Sequence, residues 1–396
     1  MPIRLGFARA RAALAILMVF AAGACAHLDR LPAVSANDTT RASIAGIAEA
    51  RFLPNDTAAM MAFARRLNER RRMHVASRGA ASTSEYSLAI SGGGDNGAFG
   101  AGLLFGWSEH GDRPSFMFVT GISTGALIAP LAFLSREYDS VLGEMYTTIE
   151  QNDIFRRRPI LAGLASDALA ESTPLQSLIA KYVDQPLVAR IAEESRRGRA
   201  LLVVTTNLDA GVPVMWNIGA IAESGRPEAV ELIRKILLAS ASIPGLFPPV
   251  MFDVTVDVVA RQEMHVDGGA SVQTYLYPAT LQVSRIPTSP GAPRRVAYVI
   301  RNGRLAQGWD EVERRTTSIA TRAVATLTTN NGLGDLYRIY ALAKRDNVRL
   351  QLAYIDDDFA EPHPAEFDHG YMLKLFDYAR AKARAGYPWR SAPPGL

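Results

Sequence analysis

The chain is 396 residues long, 48% hydrophobic and 21% charged, which suits one large α/β domain or two to three smaller ones and excludes wholesale disorder. Its 43 basic and 39 acidic residues leave a formal charge of +4, too slight over this length to point to nucleic acid. A single cysteine rules out an internal disulfide and every multi-cysteine zinc or iron–sulfur site.

In chain order, Arg4, Arg9 and Arg11 precede an uninterrupted apolar run from Ala12 to Ala22. That run is too short for a spanning helix, which needs about 20 residues. A basic, then apolar, then small-residue segment reads as a secretory signal peptide over residues 1–24. Ala22-Gly23-Ala24 leads straight into Cys25, and this resembles a bacterial lipobox with Ala22 where leucine is usual. The resemblance implies a lipid-modified Cys25, a lipid anchor on a membrane surface and an outer-membrane location facing the periplasm. Cleavage after Ala24 or Ala26 without lipidation would leave a secreted or periplasmic protein instead. Residues 25–56, rich in Ala, Asp, Asn, Pro and Thr, then read as a tether.

An N-terminal helical extension is expected over 57–84, with an amphipathic helix at 57–74. Met60, Met61, Phe63 and Leu67 make its apolar stripe, and arginines cluster at 65–66 and 70–72. Such a helix packs on the main domain with a solvated basic face, or lies on anionic headgroups. From Tyr86 onward short apolar strands alternate with helices, which predicts βαβ units and a largely parallel sheet in an α/β domain over 85–390. Strands are expected at 86–91, 115–120, 200–206, 212–216, 295–300 and 348–354. Helices are expected at 97–110, 125–137, 174–183, 227–240, 311–327, 331–346 and 368–385. Between 138 and 200 the helical pattern lacks strands, as in an insertion or lid; the run Arg156-Arg157-Arg158 lies within it.

Two glycine motifs follow the first two strands. SGGGDNGAFG (91–100) contains Gly92-x-Gly94-x-x-Gly97, formally a dinucleotide fingerprint, but the second strand ends at Thr120-Gly121 without the acidic residue that would hold a ribose. No Lys-Ser or Lys-Thr follows the last glycine, so it is not a P-loop. Consecutive glycines before a helix still make a nest of amides for a phosphate or an oxyanion. Gly121-Ile122-Ser123-Thr124-Gly125 sits between a strand and a helical run, the setting of a turn that exposes a nucleophilic serine.

A nucleophilic hydroxyl needs a base. In the order Ser…Asp…His only His265, His363 and His369 lie far enough along the chain to serve. His363 and His369 fall in an acidic, proline-containing loop, and the alternative base is Asp267 in Val266-Asp267-Gly268-Gly269.

In that order GGGDNG, GISTG and DGG resemble the patatin-like phospholipase family, as do Leu238 to Pro244 and Phe247-Pro248-Pro249 ahead of the aspartate. The likeness covers roughly residues 86 to 300. It implies a three-layer α/β/α sandwich with a mostly parallel central sheet and a Ser–Asp dyad without histidine. Ser123 would be the nucleophile, Asp267 the base, and Gly92, Gly93 and Gly94 the oxyanion donors. Gly97, Gly121, Gly125, Gly268 and Gly269 are the remaining motif glycines, and Asn96 stands where the family usually has Arg or Lys. The expected reaction is ester hydrolysis on phospholipid or lysophospholipid at a membrane surface; it needs no cofactor, and the sequence offers no metal-ligand cluster. The same serine would serve acyl transfer or thioester cleavage, and a chain that kept the fold without turnover would bind envelope lipid. Leu104, Phe105 and Trp107 read as core of their helix or as acyl-chain contacts.

Overall fold

The computed structural model describes residues 28–78, 84–159, 166–286, 294–306, 308–309 and 311–396. The signal-peptide segment and Cys25 lie outside the described residues.

A short strand β1 (Arg51–Phe52) precedes helix α1 (Thr57–Arg78). Strand β2 (Ser84–Ile90) leads through the glycine loop into α2 (Gly97–His110), and β3 (Phe118–Ile122) leads through Ser123 into α3 (Thr124–Leu134). The next stretch holds α4 (Asp139–Thr147), α5 (Gln151–Ile154), β4 (Arg156–Arg157), β5 (Ala170–Glu171), α6 (Thr173–Tyr182) and α7 (Gln185–Arg196). Strands β6 (Ala200–Asn207) and β7 (Val212–Asn217) are followed by α8 (Ile218–Glu223), α9 (Ala229–Ser240) and the hairpin β8 (Val250–Val256) and β9 (Val259–Asp267). Strand β10 (Arg294–Ile300), α10 (Thr316–Arg345), β11 (Arg349–Ala353) and α11 (His369–Arg384) complete the chain.

The sheet runs β1-β7-β6-β3-β2-β10-β11, with the β8–β9 hairpin attached to β6. Strands β6, β3, β2, β10 and β11 are mutually parallel, whereas β7, β1 and the hairpin pair antiparallel. All eight residues of β6, ALLVVTTN, are buried, as a strand covered on both faces requires. Alternation then sorts the side chains: Leu201 and Val203 join the core under α2, α3, α9 and α11, while Leu202 and Val204 meet Met60 and Phe63 of α1. Farther along that second face, Val299 and Leu352 pack on Leu336, Ile339 and Leu342 of α10. Helices therefore cover both faces, the three-layer arrangement that the resemblance implied.

Several expectations are corrected. Residues 28–56 were read as a tether from their composition, yet Val34, Ile44, Ile47, Phe52 and Leu53 are buried. Ala33 bridges to Gln262, Ser43 to Thr255, and β1 pairs with β7, so this segment wraps the hairpin and the sheet edge. Its few apolar residues are widely spaced and left no periodic signal. The helices expected at 311–327 and 331–346 are one helix, α10, which starts at Thr316 and runs through the expected gap at 328–330; at Gly332 the Arg301 guanidinium crosses its surface. The 138–200 region is not strandless, since β4 pairs with β5. The β8–β9 hairpin has no counterpart among the expected strands. Leu104 and Trp107 are core, Trp107 stacking with Phe116, Tyr298 and Trp389, and Phe105 packs on Phe376.

Candidate active site

Strand β3 and helix α3 are separated by one residue, Ser123, whose backbone sits at φ 55°, ψ −126°. A non-glycine residue in that region is strained, and the surroundings must hold it there. A Cβ on Gly121 would overlap the Gly125 carbonyl, and one on Gly125 would overlap the Ile90 carbonyl at the tip of β2. The GxSxG spacing is thus a steric condition for the turn. From the far side, Ser240 at the end of α9 accepts the Ser123 amide at 3.0 Å and donates to the Val204 carbonyl at 2.7 Å, clamping the turn to β6.

Asp267 arrives from the hairpin. Its register opposite Thr205, next to the Ile122–Val204 pair of β3 and β6, brings it beside Ser123. Its amide donates to the Ser242 carbonyl at 2.8 Å, and its carboxylate accepts from the Gly269 amide at 2.7 Å. The Ser123 hydroxyl lies close enough to act on the Asp267 carboxyl, and both residues are all but buried, with exposures of 6% for Ser123 and 5% for Asp267. Burial pushes the Asp267 carboxyl up to about 6, against the opposing pull of the Ser123 and Gly269 hydrogen bonds. Gly268 lies against the Val204 carbonyl, where a side chain would not fit, and Gly269 lies beside the Gln273 amide group.

The glycine loop only partly matches expectation. The Gly92 amide donates to the Gln273 carbonyl at 3.0 Å, so it is not a free oxyanion donor. The cause is a loop after β9 that crosses the tip of β2, a contact between segments far apart in sequence. No acceptor is found for the amides of Gly93 and Gly94 among the described residues. Gly94 has φ 58°, and a Cβ on Gly93 would overlap the Asn302 carbonyl. Gly97, at the start of α2, lies against Thr124 at the start of α3, so two helix N-termini converge near Ser123. Asn96 accepts from the Tyr371 hydroxyl at 2.6 Å and supplies no charge.

The three candidate histidines have other partners. His265 is buried between Thr205 (2.8 Å) and Glu263 (3.2 Å). His363 bonds Asp95 at 2.6 Å, and that carboxylate raises its pKa, while His369 faces the Ile149 carbonyl at 3.4 Å. Of the four candidate bases, Asp267 is the one that lies beside Ser123; Asp95, which lines the same cleft, is bonded to His363.

Residues not anticipated from sequence fix the loops. Asp335 of α10, 1% exposed, accepts the amides of Gln273 (2.6 Å) and Thr274 (2.9 Å). The Gln273 side chain then donates to the Gly269 carbonyl at 2.8 Å. Asn302 accepts from the Gly100 amide at 3.0 Å and donates to the Ser91 carbonyl at 2.9 Å. Asp335 and Asn302 stand alone among unremarkable residues, so no local pattern announces them; Ser240 falls within the Leu238–Pro244 segment of the resemblance, though its clamp on Ser123 was not anticipated. A cleft opens at Ser123 and Gly94, walled by Leu127, Met145, Ile149, Ile154, Leu175 and Phe247. Met145, Ile154 and Leu175 come from α4, α5 and α6, so the 138–200 segment forms one wall of the cleft. The aliphatic and aromatic lining suits an apolar chain.

Residues 88–277 match the family model described as patatin-like phospholipase. Among solved structures, that of VipD from Legionella pneumophila is similar at 12% identity, covering 78% of this chain and 68% of that chain with a TM-score of 0.32. No curated protein matches the sequence.

Proposed function

From the premise that this chain carries a patatin-like phospholipase domain, a family that hydrolyses lipid esters, we propose that it is a serine acyl hydrolase in which Ser123 and Asp267 form the reacting pair. The observation that carries the reading is Ser123 on a strained elbow beside a buried carboxyl, at the mouth of an apolar cleft.

Asp267 takes the Ser123 proton as Oγ attacks the ester carbonyl. The oxyanion that develops is met by the amides of Gly93 and Gly94, with the N-termini of α2 and α3 behind them; losing one such donor costs about 10²–10³ in rate. Gly92 takes no part, because its amide is bonded to Gln273. As the tetrahedral adduct collapses, Asp267 returns the proton to the departing alcohol, then draws one from water to free the acyl group. A carboxylate of ordinary basicity is a poor partner for a hydroxyl, and burial that lifts Asp267 to about 6 narrows that gap. The acyl chain lies along Leu127, Ile149 and Leu175, which favours phospholipid or lysophospholipid esters over small polar ones. With the N-terminal segment read as a lipidated or cleaved export signal, the enzyme acts on the envelope outside the cytoplasm.

A fluorophosphonate probe tests the serine directly. The full chain is expected to label and to hydrolyse a lipid ester, and Ser123→Ala to lose both while keeping its circular dichroism spectrum. Labelling that survives Ser123→Ala rejects Ser123 in favour of another nucleophile, and a wild-type chain inert to probe and ester alike rejects the assignment and leaves a lipid-binding protein without turnover.

A further inference from the structure

Between the third glycine of SGGGDNG and helix α2 the chain carries two polar residues, Asp95 and Asn96, neither of which takes part in the proton transfers of Ser123 and Asp267. Both are held by one distant segment at the start of α11. Asp95 is 6% exposed, and one of its carboxylate oxygens takes two donors, the His363 ring through Nε2 at 2.6 Å and the Phe367 amide at 2.8 Å. Asn96 accepts from the Tyr371 hydroxyl at 2.6 Å, and the His363 ring lies against the Tyr371 ring with 4.2 Å between centroids. The donors to Asp95 lie 268 and 272 residues further along the chain. Leaving a buried carboxylate without donors is unfavourable, so these bonds bind the segment to the glycine loop.

The segment is itself tightly constrained. Pro364 restricts the backbone of His363 to extended conformations. Phe367 sits at φ 57°, a region that an aromatic residue adopts only where its surroundings impose it. Its amide is committed to Asp95, and its ring lines the cleft, meeting Phe155 edge-on at 5.9 Å and lying 3.9 Å from where a Cβ on Gly94 would be. On either side, the Glu366 carbonyl accepts from the Gln151 side chain of α5 at 2.9 Å, and Asp368 caps α11 by accepting the Tyr371 amide at 2.8 Å. The turn at 366–368 thus joins the glycine loop, the cleft wall and the start of α11.

We propose that Asp95 and His363 are positioning residues, a latch that fixes the Gly93 and Gly94 amides opposite Ser123 and sets Phe367 into the wall of the cleft. Gly93 and Gly94 have no side chains by which to be held, and Asp95 is the first residue after them that has one. An oxyanion hole works when its donors are already in place, because reorganising them during the reaction forfeits the gain. The latch needs a hydrogen on Nε2 rather than a charge. Asp95 first, then Asp368 and Glu366, raise the His363 pKa above its ordinary 6.5 against the effect of burial. A neutral ring with its hydrogen on Nε2 makes the same bond. The latch rests on the acyl-hydrolase reading of Ser123 and Asp267.

The test is steady-state kinetics of the full chain on a soluble short-chain ester, with a urea unfolding curve for each variant. His363→Ala is expected to lower kcat about tenfold or more, short of the 10²–10³ that loss of a whole donor costs, with KM changed less than about twofold. His363→Gln, whose side-chain amide can place an N–H where Nε2 stood, is expected to restore kcat to within about threefold of the parent. Lys374→Ala, which removes an exposed pair with Glu361 of the same loop (2.6 Å), should change neither constant. Unchanged kcat in His363→Ala, or an equal loss in the alanine and glutamine variants, overturns the latch and leaves the hydrolase reading intact. So does a loss confined to KM, or one that vanishes once the unfolded fraction is subtracted, which would make the pair a brace of the fold alone. A parent chain inert to the fluorophosphonate and the ester alike removes the reading and the latch together.

Discussion

At the scale of single residues, the buried Asp267 carboxyl has two consequences of opposite sign. As a base it works deprotonated, so kcat/KM is expected to rise with pH and level off above a midpoint at about 6, read from a pH–rate profile on a soluble ester. For stability the sign reverses. A carboxyl whose folded pKa exceeds its ordinary 3.8 contributes stability below that value and loses it as pH rises through about 6. The loss amounts to about 3 kcal/mol at neutral pH. Asp267→Asn is expected to abolish turnover yet raise the urea midpoint at pH 8, and to flatten the decline between pH 4 and 6. Ser123 was legible because its turn demands glycines at fixed positions on either side. Chain order alone left one aspartate and three histidines as candidate bases, the family resemblance pointed to Asp267, and Asp267 is the one that lies beside Ser123.

At the scale of elements, the β3–α3 elbow is the most constrained feature. Gly125→Ala drives a methyl group into the Ile90 carbonyl, so either the tip of β2 or the start of α3 must move. The expected cost is about 1–3 kcal/mol in stability. The loss in turnover should be larger, about a hundredfold, because a shift of 1 Å misplaces Ser123. Chemical denaturation and ester kinetics on the same preparation separate the two effects. The strands β2, β3, β6, β7, β10 and β11 were all readable from short apolar runs, since a strand buried on both faces is continuously apolar. The β8–β9 hairpin was not. Its burial pattern alternates or falls mainly at one end, and residues such as Arg261, Gln262 and Glu263 look like a loop until the N-terminal segment covers them. The gap expected at 328–330 is likewise absent, since α10 runs unbroken from Thr316 to Arg345.

At the scale of the whole molecule, the N-terminal segment braces the hairpin that delivers Asp267. Arg51 of β1 pairs with Glu263 of β9 (3.0 Å), which also contacts His265, and both acid and ring are buried. Although burial works against it, hydrogen bonds from His265 and Arg51 hold Glu263 down at about 2. Arg51→Ala would leave a buried carboxylate without its cation, with an expected cost of about 3–5 kcal/mol and reduced turnover through a loosened Asp267. Arg41→Ala, which removes an exposed pair with Asp257, should leave the urea midpoint unchanged and serves as the control.

Read alone, the sequence determined the alternation of strands and helices, the two glycine turns and the serine between them. These follow from backbone geometry and burial within about a dozen consecutive residues, and such information is local. The tertiary structure alone decided how the hairpin carries Asp267 to Ser123, that the Gly92 amide is consumed by Gln273, and that residues 28–56 belong to the fold. Each of these is a meeting of segments distant along the chain, set by strand register and core burial, which no stretch of neighbouring residues encodes.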